Sequence, residues 1–174
     1  MYKRQVLKDH PNALLILVPR HPERFNDVFN LSKQMFHTVR RTEQNDGQLD
    51  TKIQVYLGDT MGEMLTLMEA ADICFMGGSL LGDKVGGHNM LEPAALGKPI
   101  LTGASYYNFL EITKALKDNT ALLITESSKE LSASVSHLFS DTSYREVLGK
   151  NAYCVFSKSS GSILNTIERI TRYL

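Results

Sequence analysis

Short apolar runs alternate with longer amphipathic stretches along this chain, and that rhythm constrains its fold more than any other feature. Ala13 to Val18 reads ALLILV and is closed by Pro19, the pattern of a strand buried on both faces. Ile53 to Leu57, Ile73 to Met76, Pro99 to Thr102 and Ala121 to Thr125 predict further strands, and His37 to Arg41 one more. Helical patterns fill the gaps at Pro22 to Met35, Gly62 to Ala71, Met90 to Leu96 and Phe109 to Leu116. Two or three more helices close the chain, over Lys129 to Phe139, Ser143 to Phe156 and Ser162 to Tyr173. Such alternation predicts an α/β fold, a parallel sheet with helices on both faces. Ligands of these sheets bind beyond the carboxyl ends of the strands, beside the helix N-termini.

At 174 residues the chain is long enough for one well-buried core and short for two. Arg40 to Lys52 is polar, and its Asn45-Asp46-Gly47 predicts a turn in a surface loop. The first ten residues predict a charged helix entering from something upstream, so a piece of a larger protein is expected.

Nineteen basic residues balance nineteen acidic ones. That neutrality argues against nucleic-acid binding, which leans on clustered Lys and Arg. Two cysteines, Cys74 in an apolar run and Cys154, favour reduced thiols over a disulfide framework. No apolar run approaches the ~20 residues that span a bilayer, and no signal-peptide core follows Met1.

Three clusters follow predicted strands. In Pro19-Arg20-His21-Pro22-Glu23-Arg24, Pro22 suits the first turn of the next helix, so Arg20 and His21 stand at the binding edge. Arg20 there pairs with a phosphate or carboxylate, or is simply exposed. Glu23 and Arg24 face solvent. In Gly58-Asp59-Thr60-Met61-Gly62-Glu63, Asp59 or Thr60 caps the next helix, with Glu63 in its first turn as in a capping box. The alternative is that the Met61 and Gly62 backbone contacts a base or ribose.

The third cluster holds two glycine pairs, Gly77-Gly78-Ser79 and Gly86-Gly87-His88-Asn89-Met90-Leu91-Glu92-Pro93. Glycine lets a backbone turn tightly near a phosphate, and the helix starting near Asn89 would supply N–H donors. Asn89 and Glu92 have the spacing of a capping pair, and Glu92 could equally accept from ribose hydroxyls. Pro93 fixes where that helix begins. The pattern is neither GxGxxG nor a P-loop, and no HExxH, paired cysteines or Gly-x-Ser-x-Gly elbow occurs. Met61, Met64 and Met68 have helical spacing and predict core or near-core filler.

VPRHPER at Val18 to Arg24, GDTMGE at Gly58 to Glu63, ADICFMGGSL at Ala71 to Leu80 and GGHNMLEPAALGKPIL at Gly86 to Leu101 occur in one order, with Tyr107-Asn108-Phe109 following. Together they resemble the C-terminal half of the 3-deoxy-D-manno-octulosonic acid (Kdo) transferases, over essentially the whole chain. Met90 stands where that family often has proline. The resemblance implies a Rossmann-like, GT-B glycosyltransferase fold whose residues 1–174 bind the donor CMP-Kdo. It implies CMP contacts at Pro19, Arg20, Met61, Gly62, Glu63, Asn89, Met90, Leu91 and Glu92.

By the same resemblance no metal or other cofactor serves the donor phosphate. The acceptor, a lipid A precursor, and the membrane contact at the cytoplasmic face of the bacterial inner membrane belong to an N-terminal domain absent here. That domain would also supply the catalytic base, so no catalytic residue is assigned in this chain, which alone would be inactive. Two other readings are a GT-B enzyme or epimerase using a UDP-sugar, and a nucleotide-binding module without catalysis.

Overall fold

The computed structural model describes residues 2–44 and 48–171, the side chains at positions 2, 83 and 160 onward excepted. The turn expected at Asn45-Asp46-Gly47 lies outside the described residues. The chain divides into two compact units, Met1–Ala71 and Asp72–Leu174.

The first unit runs α1 (Tyr2–Asp9), β1 (Leu15–Leu17), α2 (Phe25–Lys33), β2 (Thr38–Arg40), β3 (Val55–Leu57) and α3 (Met64–Ala70). Its sheet has the order β1-β3-β2, with both pairings parallel. Val55 lies opposite Leu15 on one side and Thr38 on the other. Position in that ladder decides burial. Val55 and Leu57 of the middle strand are fully buried, whereas β1, expected to be covered on both faces, is half-buried at the outside of its ladder. Each fully buried Val or Leu side chain contributes roughly 1.5–3 kcal/mol of burial. Pro22 opens a short 3-10 turn, Pro22–Arg24, before α2, consistent with its fixed φ and missing N–H. Of the three methionines expected as core or near-core filler, Met68 is half-buried, but Met61 is 70% exposed and Met64 is also exposed. Those two precede or open α3, a helix of seven residues with no buried position.

The second unit runs β4 (Cys74–Met76), α4 (Leu91–Ala95), β5 (Ile100–Gly103), α5 (Leu110–Asp118), β6 (Leu122–Thr125), α6 (Ser128–Ser140) and α7 (Thr142–Thr171). Its sheet is parallel throughout, in the order β4-β5-β6. The middle strand β5 is buried at all four residues. Leu116, Leu131, Leu138 and Leu148 from the helices are fully buried with it. Cys74 is a buried free thiol, as expected, and burial pushes its pKa up to about 11 against a smaller opposing pull from Lys98. Gly97 ends α4 with φ +63°, while its N–H and that of Lys98 donate to Ala94 and Pro93.

An expected helix break is absent. The stretch read as two helices, broken before Ser162, is a single helix of 30 residues. Serine and glycine lower helix propensity by at most about 1 kcal/mol each, too little to end a helix alone. Ser157 and Ser159 donate their hydroxyls back to the carbonyls of Tyr153 and Val155, which satisfies them inside the helix.

Candidate functional site

In the first unit, the chain leaves β1 and β3 at the same sheet edge, because the two strands pair in parallel. Pro19 and Arg20 leave β1 there, Pro19 half-buried and Arg20 exposed. His21 approaches Glu23 at 3.7 Å, and Glu23 and Arg24 are exposed, as expected.

Met61, Gly62 and Glu63 leave β3 at that edge, but the capping box does not form. Glu63 itself occupies the N-cap position of α3 and makes no side-chain cap. Its Oε2 accepts the Thr60 hydroxyl. Its Oε1 accepts from Arg41 Nη2 and Nε at 3.2 and 3.3 Å. Those contacts, the Thr60 hydroxyl first and the Arg41 guanidinium after it, hold the Glu63 carboxyl below the ordinary carboxylate range.

Asp59 caps no helix after it either. It is buried and turns back to the segment after β2, accepting from Thr42 N at 3.0 Å and the Thr42 hydroxyl at 2.7 Å. Arg40 Nη1 stands 3.7 Å from Asp59 Oδ2, and its guanidinium lies over the Phe29 ring at 4.1 Å. Gly62 has φ +85°, and a Cβ built on it would meet nothing within 4 Å. The Met61-Gly62 backbone is therefore open on its outer side. Arg40, Arg41 and Thr42 were not singled out from the sequence, since nothing local marks their partners on another strand.

In the second unit, Gly77 to Ser79 follow β4, and Ser79 has a structural task. It is buried, donates to Met76 O at 2.6 Å and accepts Gly103 N at 2.7 Å, tying the ends of β4 and β5 together. The second glycine pair likewise meets chain rather than open space. A Cβ on Gly86 would lie 2.5 Å from Asn108 Nδ2, and one on Gly87 would lie 3.1 Å from Ser105 O. Ser105 also donates to Val85 O at 2.7 Å. Both glycines thus allow residues 85–87 to lie against the start of the Tyr107–Phe109 turn.

Asn89, Met90, Leu91 and Glu92 open α4. Met90 holds the N-cap position of α4 without a side-chain cap, while Asn89, one residue before it, accepts Leu91 N on Oδ1 at 3.0 Å, and Glu92 is not its reciprocal partner. Ala94 N bonds Met90 O, and Pro93 has no N–H, so this first turn offers fewer amides than expected. The Met90 side chain is fully buried, while Asn89, Leu91 and Glu92 are half-buried. Beyond the ends of β4, β5 and β6 lies an open cavity of about 520 Å³, lined in part by Leu80, Tyr106, Tyr107, Leu110 and Glu126. Among the described residues, no three His, Cys, Asp or Glu side chains converge as a metal site.

Comparison with known proteins places the chain among glycosyltransferases. The family model described as glycosyl transferases group 1 matches residues 5–155. Over 173 residues the chain is 40% identical to 3-deoxy-D-manno-octulosonic acid transferase of Haemophilus influenzae, covering 98% of this chain and 40% of that protein. The protein of the same name from Bordetella pertussis is 28% identical over 165 residues, 94% of this chain and 38% of that one. The chain therefore spans about 40% of the length of these curated relatives.

The crystal structure of the C-terminal CMP-Kdo binding domain of WaaA from Acinetobacter baumannii superposes with a TM-score of 0.78 at 33% identity, covering 88% of this chain and 82% of that one. Sucrose-phosphate synthase of Thermosynechococcus elongatus, at 14% identity and a TM-score of 0.53, shares the fold alone. The expected α/β fold, with parallel sheets, helices on both faces and GT-B likeness, is found.

Proposed function

The chain belongs to the Kdo transferase family within the group 1 glycosyltransferases, and on that premise we propose that it is the donor-binding domain of an inverting Kdo transferase. It holds CMP-Kdo while Kdo passes to a lipid A precursor in lipopolysaccharide synthesis. The observation that carries this reading is the likeness to a solved CMP-Kdo binding domain across most of both chains. The local chemistry supports it. The exposed guanidinium of Arg20 would pair with the donor phosphate and stabilise charge growing on departing CMP. The open Met61-Gly62 backbone and Glu63 would face the nucleotide.

In the second unit, Asn89, Leu91 and Glu92 would meet the ribose, with Glu92 accepting from its hydroxyls. Met90, being buried, would contribute its backbone only. In this reading the phosphate is neutralised by Arg20 without a metal or other cofactor. The base that deprotonates the acceptor, the acceptor site and the contact with the inner membrane lie in a further domain. Within the described residues no helix is long and apolar enough to cross a membrane.

An amide NMR titration of the chain with CMP tests the assignment. Resonances of Arg20 and Met61 to Glu63 in the first unit, and of Asn89 to Glu92 in the second, should each move and saturate on addition of CMP. Shifts confined to other residues, or a stronger response to UDP, would replace this reading with a UDP-sugar enzyme.

A further inference from the structure

Arg41 stands outside the residues assigned above, yet it reaches into them. Met61 is 70% exposed, and Gly62 holds a left-handed φ of +85° with open space beyond it. Neither residue is held by packing of its own, so the segment depends on the Glu63 side chain. Both oxygens of that carboxylate are engaged. Thr60 donates to Oε2, while Arg41 donates to Oε1 through Nη2 and Nε at 3.2 and 3.3 Å.

Arg41 is itself fixed. Its neighbour Thr42 is held by the buried Asp59, and its own Nη1 donates to Gln44 O at 3.5 Å. Two links, Thr42 to Asp59 and Arg41 to Glu63, therefore tie the turn after β2 to the loop after β3. Arg40, Glu43 and Asp59 form the neighbouring charged set, with Arg40 at 3.8 and 3.7 Å from the two carboxylates. Among the described residues, the groups acting on Glu63 itself are Thr60 and Arg41.

We propose that Arg41 is a positioning residue for donor binding, fixing the Met61-Gly62-Glu63 segment toward the nucleotide through the Glu63 carboxylate. This rests on the CMP reading above. Arg41 touches no ligand in this role, so its effect must pass through Glu63.

The test combines a carboxyl 13C NMR titration of Glu63 with CMP isotherms for the unsubstituted chain, Arg41→Ala, Arg41→Lys, Glu63→Gln and the Arg41→Ala/Glu63→Gln pair. Removing Arg41 removes a cation that favours the ionised carboxyl, so the Glu63 midpoint should rise. CMP binding should weaken by about tenfold, with Arg41→Lys recovering part of it because the charge is kept. On the Glu63→Gln background, Arg41→Ala should add less than about twofold, since the two act as one unit.

An unmoved Glu63 midpoint overturns the proposal. So does a full Arg41→Ala loss that persists in the double variant, which would mean that Arg41 meets the ligand directly. If the unsubstituted chain binds no CMP, the donor reading falls and the positioning role falls with it. Undiminished CMP binding by Arg41→Ala would remove the positioning role alone.

Discussion

The Asp59 carboxylate takes both the backbone N–H and the hydroxyl of Thr42, at 3.0 and 2.7 Å, across 17 residues of sequence. The carboxylate is buried and also faces Arg40 at 3.7 Å. Replacing it leaves the two Thr42 donors without their acceptor and takes one of two carboxylates from Arg40, which keeps Glu43 at 3.8 Å and Asn26 Oδ1 at 2.8 Å. Asp59→Ala should destabilise the chain by about 3 kcal/mol, given the cost of leaving buried partners of a charged group unpaired. Urea denaturation checks this, and a loss below about 1 kcal/mol would show that water replaces the carboxylate.

Gly149 inverts an ordinary rule. Within a helix, Gly→Ala usually stabilises by about 1 kcal/mol. Here a Cβ on Gly149 would stand 2.2 Å from Gly97 O, a backbone atom just past the end of α4. Gly149→Ala should therefore destabilise, by roughly 2 kcal/mol or more, as overpacking does. A thermal scan showing a higher Tm for the variant would refute the close approach of α7 to that turn.

Lys3 sets a pH dependence in the first unit. Its side chain is buried and donates to Ala13 O at 2.5 Å, and burial lowers its pKa to about 8 from 10.5. Below pH 8 both the folded and unfolded chains carry the proton, and the folded state bears the full cost of a buried charge. Between about 8 and 10.5 the unfolded chain holds more protons, so stability from this group rises with pH. The slope is at most about 1.4 kcal/mol per pH unit. Unfolding free energies of the parent and Lys3→Met, measured from pH 7 to 10.5, should differ by a term that changes along this slope. A constant difference would contradict it.

The two thiols should react at very different rates. Cys154 is exposed, while Cys74 is buried with its pKa pushed up to about 11, and the thiolate is the reactive form. A thiol-specific label followed by mass spectrometry should mark Cys154 in the folded chain and Cys74 only after denaturant is added. Equal labelling of both would show that β4 opens readily.

Much of the fold was legible because apolar runs bounded by Pro, Gly and charged residues mark strands directly, as at Ile100–Gly103 and Leu122–Thr125. The site was legible only in part, because side-chain direction is set by partners far away in sequence. Capping boxes were expected at 59–63 and 89–92. The first failed because Arg41, 22 residues earlier, takes the Glu63 carboxylate. The second keeps only the Asn89 half. A Ser-x-x-Glu pair does stand at the start of α6, where Ser127 accepts Glu130 N at 3.2 Å and Glu130 accepts Glu126 N at 2.8 Å. The second glycine pair shows the same dependence on distant partners. Close approach was read correctly, but at Gly86 and Gly87 the approaching group is the protein's own 105–108 segment.

The most direct test of the donor-domain account is calorimetric titration of the chain with CMP and with UMP, repeated for Arg20→Ala. The account predicts weak but saturable CMP binding, at least about tenfold tighter than UMP, and a loss of about tenfold or more on removing the phosphate partner. Equal affinity for CMP and UMP, or an Arg20→Ala variant that binds CMP as tightly as the parent, would contradict it.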